Sequence, residues 1–177
     1  HVSFLSSQAH VHTMRSTKPG MMEYQLESTF NHYAYYNYGC RVAGYTGICA
    51  CGPNPAVLHY GHAGAPNDGT VKDGDMCLLD MGAEYHCYGS DITCSFPANG
   101  KFTDKQKIVY EGVLNAQVAV YDMLKPGCSW TDCHKAAEKQ VITALVKLGV
   151  VTIPDGSSID QAVEERLGSI FQPHGLG

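Results

Sequence analysis

The run from Cys77 to Phe96, CLLDMGAEYHCYGSDITCSF, constrains the fold of this chain more than any other stretch. Two apolar segments joined by a short polar turn specify paired extended strands with at least one buried face. Each segment carries an aspartate, Asp80 in the first and Asp91 in the second. A hairpin folded about Tyr85 and His86 sets the two carboxylates opposite one another, and opposed side chains on one face stand about 4.5 to 5.5 Å apart at Cβ. Carboxylates that close repel unless one is protonated or a cation lies between them. We favour the cation, because hard oxygen ligands suit Mg, Mn or Ca and can bridge two ions in a hydrolytic site. The spacing alone leaves open that both acids face solvent or cap the turn. Thr93, two residues beyond Asp91, shares its face and is placed to donate a hydrogen bond behind the ligands.

Around this pair the chain alternates helical and extended patterns. Leu5 to Thr17 has helical character and ends at Lys18-Pro19-Gly20, where proline removes a donor and glycine allows a tight turn. Met22 to Tyr36 follows as a second helix, with Tyr24, Leu26, Phe30, Tyr33 and Ala34 as its apolar stripe. RVAGYTGICACG and AVLHYG read as strands separated by the turn cluster GPNP (Gly52 to Pro55). Thr103 and Gln106 form a capping-box pattern opening a helix to about Leu124, with Val109, Val113, Ala116 and Val120 on one side. A second Lys-Pro-Gly, at Lys125, ends it, and Ser129 or Thr131 can cap a helix to Leu148 with Gly149 at its left-handed end. A short helix, Ile159 to Leu167, precedes the last extended segment. The two Lys-Pro-Gly turns, 107 residues apart, sit in a matching order of elements, which suggests an internal duplication whose second copy lacks the aspartate-bearing strand pair.

Composition narrows the function classes. At 177 residues and 44% hydrophobic, the chain can build one sizeable core, so one compact mixed domain is expected. With 12 basic against 17 acidic residues and no basic cluster, nothing marks a nucleic-acid partner. No apolar run has the length of a membrane span, and HVSFLSSQAH lacks the features of a signal peptide, so the cytoplasm is the expected location. None of the eight cysteines forms a C-x-x-C pair, and we expect mostly free thiols, with Cys49 and Cys51 on one strand face. The chain starts at His1 and stops within FQPHGLG, which we take as the mark of a fragment. His59 and His62 lie in LHYGH, where a packed or hydrogen-bonded role is the commoner one, and His174 lies between proline and glycine. His10, His12, His32, His86 and His134 are read as surface residues, and Trp130 as a packing residue at a helix start.

AVLHYGHAGAPND, GDMCLLDMGAEYHCYGSDITCSFPANGKFT and PHGLG, in this order, closely resemble the pita-bread metallopeptidases, and within them the prolidases, or Xaa-Pro dipeptidases. The resemblance runs over essentially the whole chain and implies an α/β (α+β) fold, here an incomplete pita-bread domain with an antiparallel sheet covered by helices. Residues 1–177 would then be the N-terminal and central part of the catalytic domain. The implied cofactor is a pair of Mn ions held by two aspartates, one histidine and two glutamates. By motif position Asp80 and Asp91 are the aspartates, Asp91 bridging the ions. His59 matches the histidine that meets the substrate and stabilises the tetrahedral intermediate, and Ile48 an apolar wall of the dipeptide pocket. His174 matches the first, non-ligand histidine of the family's H-G-L-G-H run. The remaining ligands would lie beyond Gly177, so the chain alone is expected to be inactive and to expose an apolar edge that pairs with a second copy or with the missing part. An aminopeptidase P acting on longer peptides and a non-catalytic pita-bread binding module are the competing readings.

Overall fold

A computed structural model describes residues 1–62 and 64–176, in two units, His1–Lys101 and Phe102–Gly177. Where composition suggested one core, the buried apolar residues gather into separate clusters, each confined to one unit.

In the first unit, α1 (Val2–Ser16) and α2 (Glu23–Tyr38) precede six short strands. These are β1 (Val42–Ala43), β2 (Ile48–Cys51), β3 (Met76–Asp80), β4 (Ala83–Tyr85), β5 (Tyr88–Gly89) and β6 (Thr93–Pro97). They form two antiparallel three-stranded sheets, β1-β4-β5 and β2-β3-β6, rather than one. On α2 the buried apolar residues are Leu26, Phe30 and Ala34, spaced four apart on one helical face, while Tyr24 stays half exposed. They share a core with Leu5 and Ala9 of α1, Cys49 and Cys51 of β2, and Cys77 and Leu79 of β3. Burying Cys77 and Leu79 on one face leaves Met76, Leu78 and Asp80 on the other, because side chains alternate along a strand. That alternation sets the direction of Asp80.

The hairpin register differs from the expected one. The turn falls at His86 and Cys87, both left-handed with φ of 50° and 68°, so Tyr85 pairs with Tyr88. This is the backbone hand that two-residue hairpins favour. Asp80 consequently pairs with Thr93 instead of Asp91, a slip of two residues that keeps each side chain on its face. AVLHYG is not a strand either. A 3-10 turn spans Asn54–Ala56, and Val57 N–H and Tyr60 N–H donate to the Asn54 and Val57 carbonyls. Pro53 and Pro55 offer no N–H, and these local bonds consume donors that a strand would give a neighbour.

In the second unit, α3 (Asp104–Met123) starts at the expected capping box, where Thr103 Oγ1 accepts from Gln106 N–H at 3.3 Å and Gln106 Oε1 from Thr103 N–H at 2.9 Å. It buries Gly112, Ala116 and Val120, while Val109 and Val113 are exposed. The inner face is thus set by the small residues that let α4 approach. α4 (Trp130–Lys147) is capped by Ser129 and buries Cys133, Ala137 and Ile142. α5 (Ile159–Glu164) stops short of Leu167 because Arg166 turns left-handed, at φ 61°. Both Lys-Pro-Gly turns end in a left-handed glycine, Gly20 at φ 93° and Gly127 at φ 85°, so the repeated tripeptide carries a repeated backbone turn.

Candidate metal centre

Asp80 ends the central strand of the β2-β3-β6 sheet, and its register partners are Ile48 on one side and Thr93 on the other. Paired positions present their side chains to the same face, so Ile48, Asp80 and Thr93 form one row across three strands. Ile48 is buried in a small cluster with Ala50 and Tyr60, with Leu78 packed against it. The acid therefore has an apolar neighbour in the sheet on one side and a hydroxyl on the other.

Asp91 reaches the same place from outside the ladder. It lies exposed between β5 and β6, and one residue joins it to Asp80. The Tyr45 hydroxyl donates to Asp91 Oδ1 at 3.1 Å and also to Asp80 Oδ1, in a short hydrogen bond. Tyr45 comes from the glycine-rich link between β1 and β2, where Gly44 N–H donates to the Gly82 carbonyl at 2.7 Å. A Cβ at Gly82 would overlap the Ser90 carbonyl and stand 3.1 Å from the Tyr45 ring. Only glycine lets the two legs of the crossing and the phenol come together here.

Burial raises the Asp80 carboxyl above its usual range, and the charge of Asp91 adds to the effect. Hydrogen bonds from Tyr45 and Thr93 pull it down but do not cancel the rise. The Tyr45 phenol is driven well up by burial, then by its bonds and proximity to the two carboxylates. A phenol that holds its proton thus sits between the two carboxyl groups. The set is chemically suited to a divalent cation: hard oxygens, two negative charges, and lone pairs that one phenol cannot fill. Among the described residues no group of three or more His, Cys, Asp or Glu converges on one point.

His59 stands in the turn after the 3-10 helix, exposed. His174 belongs to the second unit, is exposed, and donates from Nδ1 to the Gly175 carbonyl at 2.7 Å. Ile48, Asp80, Asp91 and Thr93 are brought together; His59, in the same unit, is not joined to them by any hydrogen bond among the described residues.

Sequence reading missed Tyr45 and misplaced His10. Nothing in the spacing links Tyr45 to either aspartate, and an aromatic residue in a glycine-rich run read as a strand position. His10, expected at the surface, is 1% exposed. Its Nε2–H donates to the Met81 carbonyl at 2.9 Å, and its ring packs edge-on against Phe30. The helical stripe that buries Leu5 and Ala9 carries His10 inward with them. Trp130, read as a packing residue, is about half exposed and donates from its indole N–H to the Leu176 carbonyl at 3.0 Å.

The sequence profile of metallopeptidase family M24 matches residues 2–177. The chain belongs to this family. It is 54% identical over 173 residues to the Xaa-Pro dipeptidase of Homo sapiens and 53% identical to that of Rattus norvegicus, in each case covering 98% of this chain and 34% of the relative. Among solved structures, the Zn-substituted aminopeptidase P of Escherichia coli in complex with product superposes with a TM-score of 0.89 at 32% identity, covering 99% of this chain and 38% of that one. The chain thus spans about a third of the length of these M24 relatives and has the pita-bread fold of aminopeptidase P over that span.

Proposed function

We propose that the protein carrying this chain is an Xaa-Pro dipeptidase that uses two Mn ions, with Asp80 and Asp91 as two of their ligands. The observation that carries the reading is the meeting of both carboxylates at the Tyr45 hydroxyl, beside Ile48 and Thr93. Bound divalent ions would supply an activated water and polarise the scissile carbonyl. Asp80 is fixed by its place in the ladder, and Tyr45 holds Asp91 to it. Thr93 orients the Asp80 carboxylate from behind. Ile48 offers the dipeptide an apolar wall, and His59 donates a hydrogen bond to the oxygen on which charge develops.

Identities of 53% and 54% to dipeptidases, against 32% to the aminopeptidase P structure, favour the dipeptidase. Hydrolysis of an Xaa-Pro dipeptide and an Xaa-Pro-Yaa tripeptide by the full-length protein, with Mn added, tests this. Cleavage of the dipeptide alone is expected; preference for the tripeptide would move the assignment to an aminopeptidase P, and inactivity on both to a binding module. The 177-residue chain by itself, with two protein ligands, should cleave neither. Action in the cytoplasm belongs to the same proposal and is supported by eight free thiols. So does self-association, supported by the exposed Val109, Val113, Leu114 and Val118 of α3 and checked by sedimentation.

A further inference from the structure

The His59 side chain has no anchor of its own. Residues 56–59 are all exposed, and among the described residues the His59 ring makes no hydrogen bond or ring contact. Its position is inherited from the backbone, and the backbone is held next door: Tyr60 is 5% exposed and joins the cluster of Ile48 and Ala50. The Tyr60 hydroxyl donates to Glu23 Oε2 at 2.6 Å.

Glu23, at the first position of α2, has no exposed surface. Its Oε1 accepts from Cys51 N–H and Asn54 Nδ2, both at 2.8 Å, and its Oε2 accepts from Tyr60 and from Gly69 N–H at 2.9 Å. The Glu23 N–H in turn donates to the Gly69 carbonyl at 2.9 Å. One carboxylate therefore grips the segment from 51 to 69 at both ends, at its 3-10 turn, and at the residue beside His59. Four donors fill the acceptor positions of this buried carboxyl group, which also stands at the positive end of a helix. Asn67 adds a second tie, donating from Nδ2 to Glu27 Oε2 and to the Gly47 carbonyl, each at 2.9 Å, while its Oδ1 accepts from Cys49 N–H at 3.0 Å. Glu23 and Glu27 are one helical turn apart, so α2 acts as a two-point clamp on the loop that carries the histidine.

We infer that Glu23 is the positioning residue for His59, acting through the hydroxyl of Tyr60 to fix the histidine relative to the sheet face that carries Ile48 and Asp80. The inference rests on the reading of His59 as the group that meets the substrate. Glu23 touches no reacting atom; it removes the freedom of a turn that would otherwise sample many positions, and small misplacements of a catalytic group are costly.

Tyr60→Phe is the sharp variant, because the ring keeps its packing and only the hydroxyl is lost. In the full-length protein, Y60F should lower kcat on an Xaa-Pro dipeptide about tenfold with KM changed less than about threefold. In a His59→Ala background the same substitution should cost less than about twofold, since the group being positioned is gone. An equal loss in both backgrounds, or full activity of H59A alone, overturns the inference. Amide hydrogen exchange in the same proteins gives a readout independent of turnover. Exchange across residues 54–62 should quicken in Y60F and more in Glu23→Gln, while β3 stays protected, and unchanged exchange in both overturns the inference. Inactivity of the wild type on every Xaa-Pro peptide would sink the dipeptidase reading instead, leaving the exchange result to decide the positioning.

Discussion

Glu23, with no exposed surface, offers its two oxygens to four donors. Asp80, partly exposed, divides a single phenol with Asp91 and takes one hydroxyl from Thr93. Burial alone would rank Glu23 as the stranger residue, yet each of its oxygens accepts two hydrogen bonds. The Asp80–Asp91 pair has fewer donors than acceptor sites and two charges that oppose each other. What separates an acid that holds the fold from the proposed metal ligands is the acceptor capacity left open, because a buried carboxyl group with its acceptor sites filled is a finished interaction and an underfilled pair is an unfinished one.

The contrast can be broken from either side. Asp91→Asn removes one charge from the open pair, and in the full-length protein hydrolysis of an Xaa-Pro dipeptide should fall about 10³-fold or more, with the urea unfolding midpoint little changed. Glu23→Ala should do the reverse to stability: four donors lose their acceptor, and the first unit should lose about 3 to 5 kcal/mol in urea denaturation. A D91N protein that unfolds as readily as E23A would erase the distinction. Tyr45→Phe sharpens it by leaving the two aspartates without their shared donor. Metal affinity should weaken about tenfold, the scale seen when a group that orients ligands is lost, as read by calorimetric titration.

The smallest expected effect is a pH dependence that belongs to neither acid. Burial holds His10 below its usual 6.5, outweighing the Met81 and Ile92 backbone hydrogen bonds and the Asp80 charge, which raise it. A depressed folded value means that the unfolded chain binds the proton first. The stability from neutral His10 is complete above about pH 6.5 and is lost as pH falls from there through the folded value. The urea midpoint of the first unit should therefore drop between about pH 7 and pH 5, and His10→Gln should flatten that slope.

Much of this was legible in the residues. The capping box at Thr103 placed the start of α3, Ser129 was one of two candidates for the start of α4, and the alternating run around Asp80 gave the strand and its buried face. The hairpin register was not, because the left-handed turn at His86 and Cys87 contains neither glycine nor asparagine to announce it. AVLHYG has strand composition, but Pro53 and Pro55 next to it favour local turns, and composition does not report where donors go. Tyr45 and Glu23 were invisible for a common reason: each acts on residues 28 or more positions away, through contacts that only the folded chain creates.

Calorimetric titration of the metal-free full-length protein with Mn, beside its D91N variant, tests the central claim most directly. Two ions bound per wild-type chain and the loss of at least one in D91N are the predicted result. Equal stoichiometry and affinity in the two proteins would contradict the assignment of Asp80 and Asp91 as a shared ligand pair.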